Sequence, residues 1–491
     1  MSFVILGILI IGLGLLFSRF TLSEELSKKD LIIGWGIKLS VTTLYVLIFT
    51  YYFSDGIIYG DSRNFLNDGR ELAEFGIKEP FAYLKLMLGI GADNQDFLIE
   101  HLPNTQIWSY GDNGDFINDN RLIIRINSVI HFFSNGNVWV HGVVFAAISF
   151  LGSILLFKTF KEFTKNKKVL YYGLLIFPTI SFWGGGITKE TILIFGLGLF
   201  FLNLKYLLKH KLRLMSLIGL IAGVGILLFN KPHVGIVALG LSAIVVLLYR
   251  TTFTNKKGII ISGVLLLVFF AFTFTPSRLN IVERLTYQQR ALQNLGNGGV
   301  FFINDSSFCA FDYEKLDHFD YNSTDQLISV KEQSKGRYKL FGEEEFHEFE
   351  ILPSEEKFDV YHVISPSTSL IECTPIDYSC FQLFLNTPSA LMNVFLRPFP
   401  TDPGDQLKFI SFIENLFFIL LIGFVIFKRR VLNSEEKSWV FYLFILGLIS
   451  ALLIGWSTPI LGAIVRYKIA AYLPLFIAAT ILLKPLKNES K

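Results

Sequence analysis

The sequence predicts an all-α integral membrane protein with about eleven transmembrane helices and two large extracytoplasmic loops, the second of them α+β. Three observations lead there. Hydrophobic residues are 52% of the chain and charged residues only 17%, so much of the surface must face lipid rather than water. Apolar runs recur along the chain, and the longer ones, at about 1.5 Å per residue, match a hydrocarbon core of roughly 30 Å. The short loops between runs are basic, and the alternation of sides they impose is self-consistent.

The runs fall at 3–20, 31–53, 138–157, 170–184, 187–208, 214–229, 234–249, 258–275, 409–427, 439–456 and 470–483. They divide the chain into N-terminal transmembrane helices (1–53), a first loop (54–137), a central bundle (138–275), a second loop (276–408) and C-terminal transmembrane helices (409–491). The basic loops lie at Lys28-Lys29, Lys158–Lys168, Lys205–Arg213, Arg250–Lys257, Lys428–Lys437 and Lys484–Lys491. Placing them all in the cytoplasm puts the N-terminus and both long loops outside a cytoplasmic membrane and the C-terminus inside. The first run lacks a basic flank and a small-residue cleavage site, so it reads as a retained helix rather than a signal peptide. Net charge, near +3, decides nothing by itself.

The first loop opens at Ser54 and reaches Asp61 within a few residues, with Asp55, Asp68 and Glu71 nearby. A carboxylate suits the role of general base toward a hydroxyl. An Asp ahead of a helical pattern is equally a common N-cap. The pattern that follows, Asn64–Phe75, spaces Phe65, Leu66, Leu72, Ala73 and Phe75 as an amphipathic helix for the membrane surface or for neighbouring spans. Arg121–Phe133 repeats the arrangement. Between them Asp112, Asp115 and Asp119 lack the terminal Glu of a calcium loop. A solvated loop with at most weak divalent-cation binding is the expectation there, and no other cofactor is implied. His101 and His131 have no companions at metal-ligand spacing, and no Walker loop, nucleophile elbow or zinc motif occurs.

A second constellation runs from Phe177-Pro178 through Trp183 and the triple glycine 184–186 to Thr188-Lys189-Glu190. The chain is expected to turn there and re-enter as a helix whose free amides, positive end and Lys189 suit a phosphate oxygen. An ordinary helical hairpin with Thr188 as cap and a snorkelling Lys189 explains the same residues. Lys231-Pro232-His233, Arg397 and Arg466-Tyr467-Lys468 fall at the same level of the topology and, with Lys189, would ring a lipid-linked phosphate or pyrophosphate. Arg278, Arg284 and Arg290 recur at six-residue steps, share no helical face and read as solvated or headgroup contacts. Trp183, Trp108, Tyr59 and Tyr110 are placed for sugar stacking or for an interfacial belt.

In the second loop, 277–295 carries a helical pattern, 301–358 reads as strand and turn, and 384–396 is partly amphipathic before Pro398 and Pro400. All three cysteines, Cys309, Cys373 and Cys380, lie in this loop. Cys373 and Cys380 are near enough in sequence to close a small disulfide loop, and unpaired thiols fit as well.

These residues together resemble a bacterial multi-spanning glycosyltransferase of the GT-C type. The resemblance is carried by the run ending at Phe53 with Gly60-Asp61-Ser62 after it, Arg125-Ile126-Asn127-Ser128, the turn from Phe177-Pro178 to Lys189-Glu190, and Arg466-Tyr467 with Leu473-Pro474. It implies Asp61 as catalytic base and a polyprenyl-phosphate-linked sugar as donor. Lys189, Lys231, His233, Arg397 and Arg466 would bind the phosphate, with Glu190, Arg125 and Trp183 in support. A glycan or lipid acceptor and membrane lipids would be the partners, and nucleic acid would not. The helix at 3–20 is an addition to that family's pattern. The outer cations are also similar to surface-polysaccharide polymerases of the Wzy or EpsG kind. A transporter or a non-catalytic assembly subunit is the reading from a different class, and mid-span ionisable residues, Glu414 the clearest, are too few to favour transport.

Overall fold

The computed structural model describes residues 2–19, 26–108, 118–209, 213–249, 254–273, 280–304, 307–322, 325, 327–340 and 347–485. It is mostly helical and divides into two units. One comprises 1–263, 417–450 and 466–491; the other comprises 264–416 and 451–465.

The first unit begins with α1 (Ser2–Phe17) and α2 (Lys28–Leu47), which continues as a π-helical turn, Ile48–Tyr52. Ser27 and Asp30 form a reciprocal capping box that starts α2. The loop after it turns through Gly60, whose φ of +70° suits glycine, into α3 (Asp61–Lys78), then α4 (Pro80–Met87) and α5 (Gln95–His101). Next come α6 (Arg121–Ser134), α7 (Val138–Phe160), α8 (Lys167–Ile176), α9 (Pro178–Phe182), α10 (Lys189–Lys209), α11 (Leu214–Asn230), α12 (Pro232–Tyr249) and α13 (Asn255–Thr273). Helices α7 and α10 meet through glycines: a Cβ on Gly152 would come within 2.7 Å of the Phe195 backbone, and one on Gly198 within 2.6 Å of the Gly152 carbonyl.

Of the two settings expected for the amphipathic helix after Asp61, the membrane surface or neighbouring spans, the structure shows it packed on neighbouring helices. Phe65, Leu72, Ala73 and Phe75 of α3 are buried, with Ile123, Ile124 and Ile130 of α6 in the same apolar core. Asp68 fastens the loop before α6 by accepting the backbone N–H groups of Gln106, Ile107 and Trp108, each at 2.8 Å. His141 of α7 bonds Asn127 at 2.7 Å and Ser134 at 2.9 Å, locking α6 to the helix that follows it.

The expected run 170–184 is not one helix. Pro178 has no N–H to continue α8, and the Ser181 hydroxyl instead donates to the Leu175 carbonyl at 2.5 Å. Five described helices are long and apolar enough to cross a membrane: Lys28–Tyr52, Val138–Phe160, Lys189–Lys209, Lys408–Phe427 and Ser434–Ser457. A sixth arises if the bent pair Leu461–Tyr467 and Ile469–Leu482 is one span. The chain is thus membrane-associated by its apolar helices, with fewer clear spans than the eleven expected, because several apolar runs make short or broken helices.

The second unit holds α14 (Ile281–Asn297), capped by Asn280, and an antiparallel seven-stranded sheet in the order β3-β4-β7-β1-β2-β5-β6. The strands are β1 (Gly299–Asn304), β2 (Ser307–Phe311), β3 (Phe319–Asn322), β4 (Leu327–Val330), β5 (Ser334–Leu340), β6 (His347–Ile351) and β7 (Ser354–Ile364). Alternate residues Val300, Phe302, Cys309, Phe311, Ile328, Val330 and Phe358 build its core, as period-2 pleating requires. Two short helices follow, α15 (Cys380–Leu385) and α16 (Thr387–Phe395). The chain then continues through α17 (Lys408–Phe427), α18 (Ser434–Ser457), α19 (Leu461–Tyr467) and α20 (Ile469–Leu482). Gln289 of α14 anchors the second unit by donating to the Thr374 and Trp456 carbonyls and accepting from the Ile376 N–H. All three cysteines are free thiols, so the Cys373–Cys380 bridge is not formed. Cys309 sits in the sheet core, where burial pushes its thiol up.

Candidate active site

The first unit gathers charged groups from five places in the chain. Asp61 is the first residue of α3, and Gly60 stands at the N-cap, so the Asp61 side chain is not spent on capping. Its Oδ2 lies 2.5 Å from Arg466 Nη1, across 405 residues of sequence. Arg466 in turn points Nε at Glu190 Oε1, 3.7 Å away, and Lys231 Nζ pairs with the same oxygen at 3.1 Å. Lys189, the neighbour of Glu190 on α10, donates to Asp119 at 2.8 Å and Asn120 at 3.0 Å.

Local structure fixes each group. Ser62 donates to the Ile187 carbonyl at 2.9 Å and meets the Tyr45 hydroxyl at 2.8 Å, which ties the first turn of α3 to α2 and to the chain entering α10. That entry is clamped by three hydroxyls: Thr42 to Gly185, Thr188 to Trp183 and Thr191 to Gly186. The triple glycine is needed for contact, since a Cβ on Gly184 would meet Ile194 at 2.1 Å and one on Gly186 the Tyr45 ring at 2.6 Å. Asn230, last residue of α11, donates to the Lys189 carbonyl at 2.9 Å and delivers Lys231. Tyr467 lies beneath both cations: Lys231 Nζ is 4.3 Å and Arg466 Cζ 4.9 Å from its ring centroid, and Arg466 donates to its hydroxyl at 3.0 Å.

The groups differ in access. Glu190 is fully buried and Lys231 nearly so, whereas 48% of the Asp61 side chain remains exposed. The Arg466 guanidinium holds the Asp61 carboxyl below the usual carboxylate value, more than protein crowding raises it, with Lys189 and Lys231 adding to the effect. Asp61 is therefore an ionised, reachable proton acceptor with a guanidinium beside it. Arg466 Nε and Asn230 Oδ1 are buried without a hydrogen-bond partner, an arrangement that a polar ligand or water would satisfy. The charges balance: Asp61, Glu190 and Asp119 stand against Lys189, Lys231 and Arg466.

Of the residues singled out in the sequence, Asp61, Lys189, Glu190, Lys231 and Arg466 come together. His233, two residues after Lys231, is within electrostatic reach of Lys231, Asp119 and Lys189. Arg397 belongs to the second unit, where its Nε lies 3.7 Å from Asp402. Arg125 is engaged elsewhere, donating to the Leu86 carbonyl and lying 5.1 Å from the centroid of the Trp108 ring. Trp108 is itself fully buried and closed to sugar, and Trp183 packs among Tyr45, Phe49 and Phe182. Tyr59 is exposed two residues before Asp61, and Tyr110 lies outside the described residues.

Sequence reasoning missed Tyr467 as the ring under two cations, and Asn120 and Asp119 as partners of Lys189. The adjacency Arg466-Tyr467 was the available signal. Among the described residues no three His, Cys, Asp or Glu side chains group as a metal would need, and Asp112 and Asp115 lie outside them. An open hollow of about 340 Å³ on the sheet, lined by Asp320, Lys331 and Glu355 among others, is far in sequence from these groups and carries no comparable chemistry. Comparison of the chain with known protein families, characterised proteins and solved structures finds no match.

Proposed function

We propose that the chain is a membrane glycosyltransferase that takes a polyprenyl-phosphate-linked sugar at the extracytoplasmic face and serves cell-surface polysaccharide or glycoconjugate assembly. The observation that carries this reading is the Asp61–Arg466 pair at 2.5 Å: a half-exposed carboxylate held against a guanidinium from the far end of the chain. In this reading the shorter apolar helices complete eleven passes, both long loops lie outside, and the C-terminus is cytoplasmic.

The acceptor hydroxyl attacks the anomeric carbon and passes its proton to Asp61. The bond from that carbon to the phosphate oxygen breaks, and the electron pair leaves on the lipid phosphate. Arg466, Lys231 and Lys189 stabilise that growing charge. Because the resting charges cancel, the phosphate must compete with Asp61 for Arg466. Once Arg466 turns to the phosphate, Asp61 loses its largest stabilising neighbour and becomes a stronger base, so donor binding itself prepares the acceptor site.

The test is transfer by purified protein from a synthetic polyprenyl-phosphate sugar. Asp61→Asn is expected to lower turnover by roughly 10²–10⁴-fold, the usual contribution of a general base. Full turnover in that variant removes Asp61 from the role. A ladder of products in place of single additions identifies a polymerase using the same groups. No transfer from any donor by the wild-type protein favours a non-catalytic assembly or transport subunit.

A further inference from the structure

The loop between α2 and α7 carries an uncovered apolar stripe of its own. Ile77 at the end of α3 is 71% exposed, and Phe81, Leu84 and Leu88 along α4 are 83%, 55% and 78% exposed. Spacings of three and four residues put Phe81, Leu84 and the C-cap Leu88 on one face of α4, and Ile77 ends α3 just before the break at Glu79. We propose that this face is a membrane anchor, immersed among the headgroups and upper acyl chains of the leaflet that α7 enters. The inference depends on α7 being a span and not on the transferase reading.

Three observations select lipid as the occupant. The stripe is fixed to α6: the Tyr83 and Phe132 rings pack edge to face at 5.6 Å, and Arg125 donates to the Leu86 carbonyl at the end of α4. Phe132 and Val129 of α6 are themselves about half exposed and extend the same kind of surface. Only Asn135, Gly136 and Asn137 separate α6 from α7, and Asn137 caps α7 by accepting from Trp139 and Val140. Four residue steps reach at most about 14 Å, so the end of α6 cannot stand far from the bilayer surface. Finally, Lys78 and Lys85, seven residues apart and both exposed, lie next to the stripe, where ammonium groups meet lipid phosphates. By contrast, Phe65, Leu72 and Phe75 of α3 are already buried in the core shared with α6.

The inference is tested with the full-length protein in nanodiscs containing a phospholipid that bears a photoactivatable carbene precursor high on its acyl chain, followed by mass spectrometry. Carbene adducts are expected on residues 77–88, at a depth of about 5–10 Å below the headgroup boundary, as well as on the lipid-facing side of α2. Leu84→Glu should reduce the adducts at 81–88 several-fold while leaving those on α2 unchanged. Adducts on α2 with none at 77–88 would overturn the proposal, as would a cross-link from Phe81→Cys to a second copy that shields the stripe.

Discussion

At the scale of single residues the decisive fact is that Asp61 keeps half of its side chain in water while a guanidinium holds its charge. The ordinary value for this carboxyl is 3.8, and the folded value lies below it. The pair's contribution to stability is therefore complete above that value and is lost as pH falls through the lowered one. Exposure limits that contribution to about 1 kcal/mol or less, so the Asp61 contact is a minor part of whatever stability Arg466→Gln loses through buried Glu190. Its effect belongs to titration instead: without the neighbouring cation the Asp61 value rises, and the acid limb of the pH–rate profile is expected to move to higher pH. An unshifted limb in Arg466→Gln would show that Asp61 does not set it. Asp68 differs, because it serves three backbone amides in a buried loop. Asp68→Ala should cost about 1–3 kcal/mol through those stranded donors, read as a lower unfolding temperature in detergent.

At the scale of elements, much of this organisation was legible in the sequence. Amphipathic spacing located α3 and α6, because periodicity reports which face is covered, and the strand-and-turn reading of 301–358 falls inside the sheet, which runs from Gly299 to Ile364. What covers it is a different matter: the spacing leaves membrane surface and neighbouring spans both open, and Phe65 and Leu72 share a core with Tyr45 of α2, Ile123 of α6 and Phe145 of α7, since periodicity cannot tell one apolar partner from another. The run 170–184 was expected unbroken although Phe177-Pro178 lies inside it, and α8 ends at Ile176 because Pro178 brings no N–H. Among the site residues, Asp61, Lys189, Lys231 and Arg466 could be named from their positions beside apolar runs. Their pairing could not, because a contact over 405 residues leaves no local trace. The Glu190–Lys231 pair is where α10 and the α11–α12 junction depend on each other. Removing one partner of a buried pair typically costs about 3–5 kcal/mol, whereas removing both restores much of it. Lys231→Met alone should therefore destabilise more than Lys231→Met with Glu190→Met in thermal unfolding.

At the scale of the whole molecule, catalysis at the outer face requires both long loops on the side opposite the basic ones. Alkaline phosphatase inserted in the sheet-bearing loop should be active, and a fluorescent protein fused after Lys491 should fold and emit; the reverse pattern would place the Asp61 cluster on the wrong face for an extracytoplasmic donor. Beyond orientation, transfer requires that a lipid phosphate meet Arg466 next to Asp61. Native mass spectrometry of the detergent-released protein with a short-chain polyprenyl phosphate tests it most directly. A one-to-one adduct is expected on wild type, weakened at least tenfold in Arg466→Gln and persisting in Asp61→Asn; no adduct on wild type, or equal binding by Arg466→Gln, would contradict that requirement.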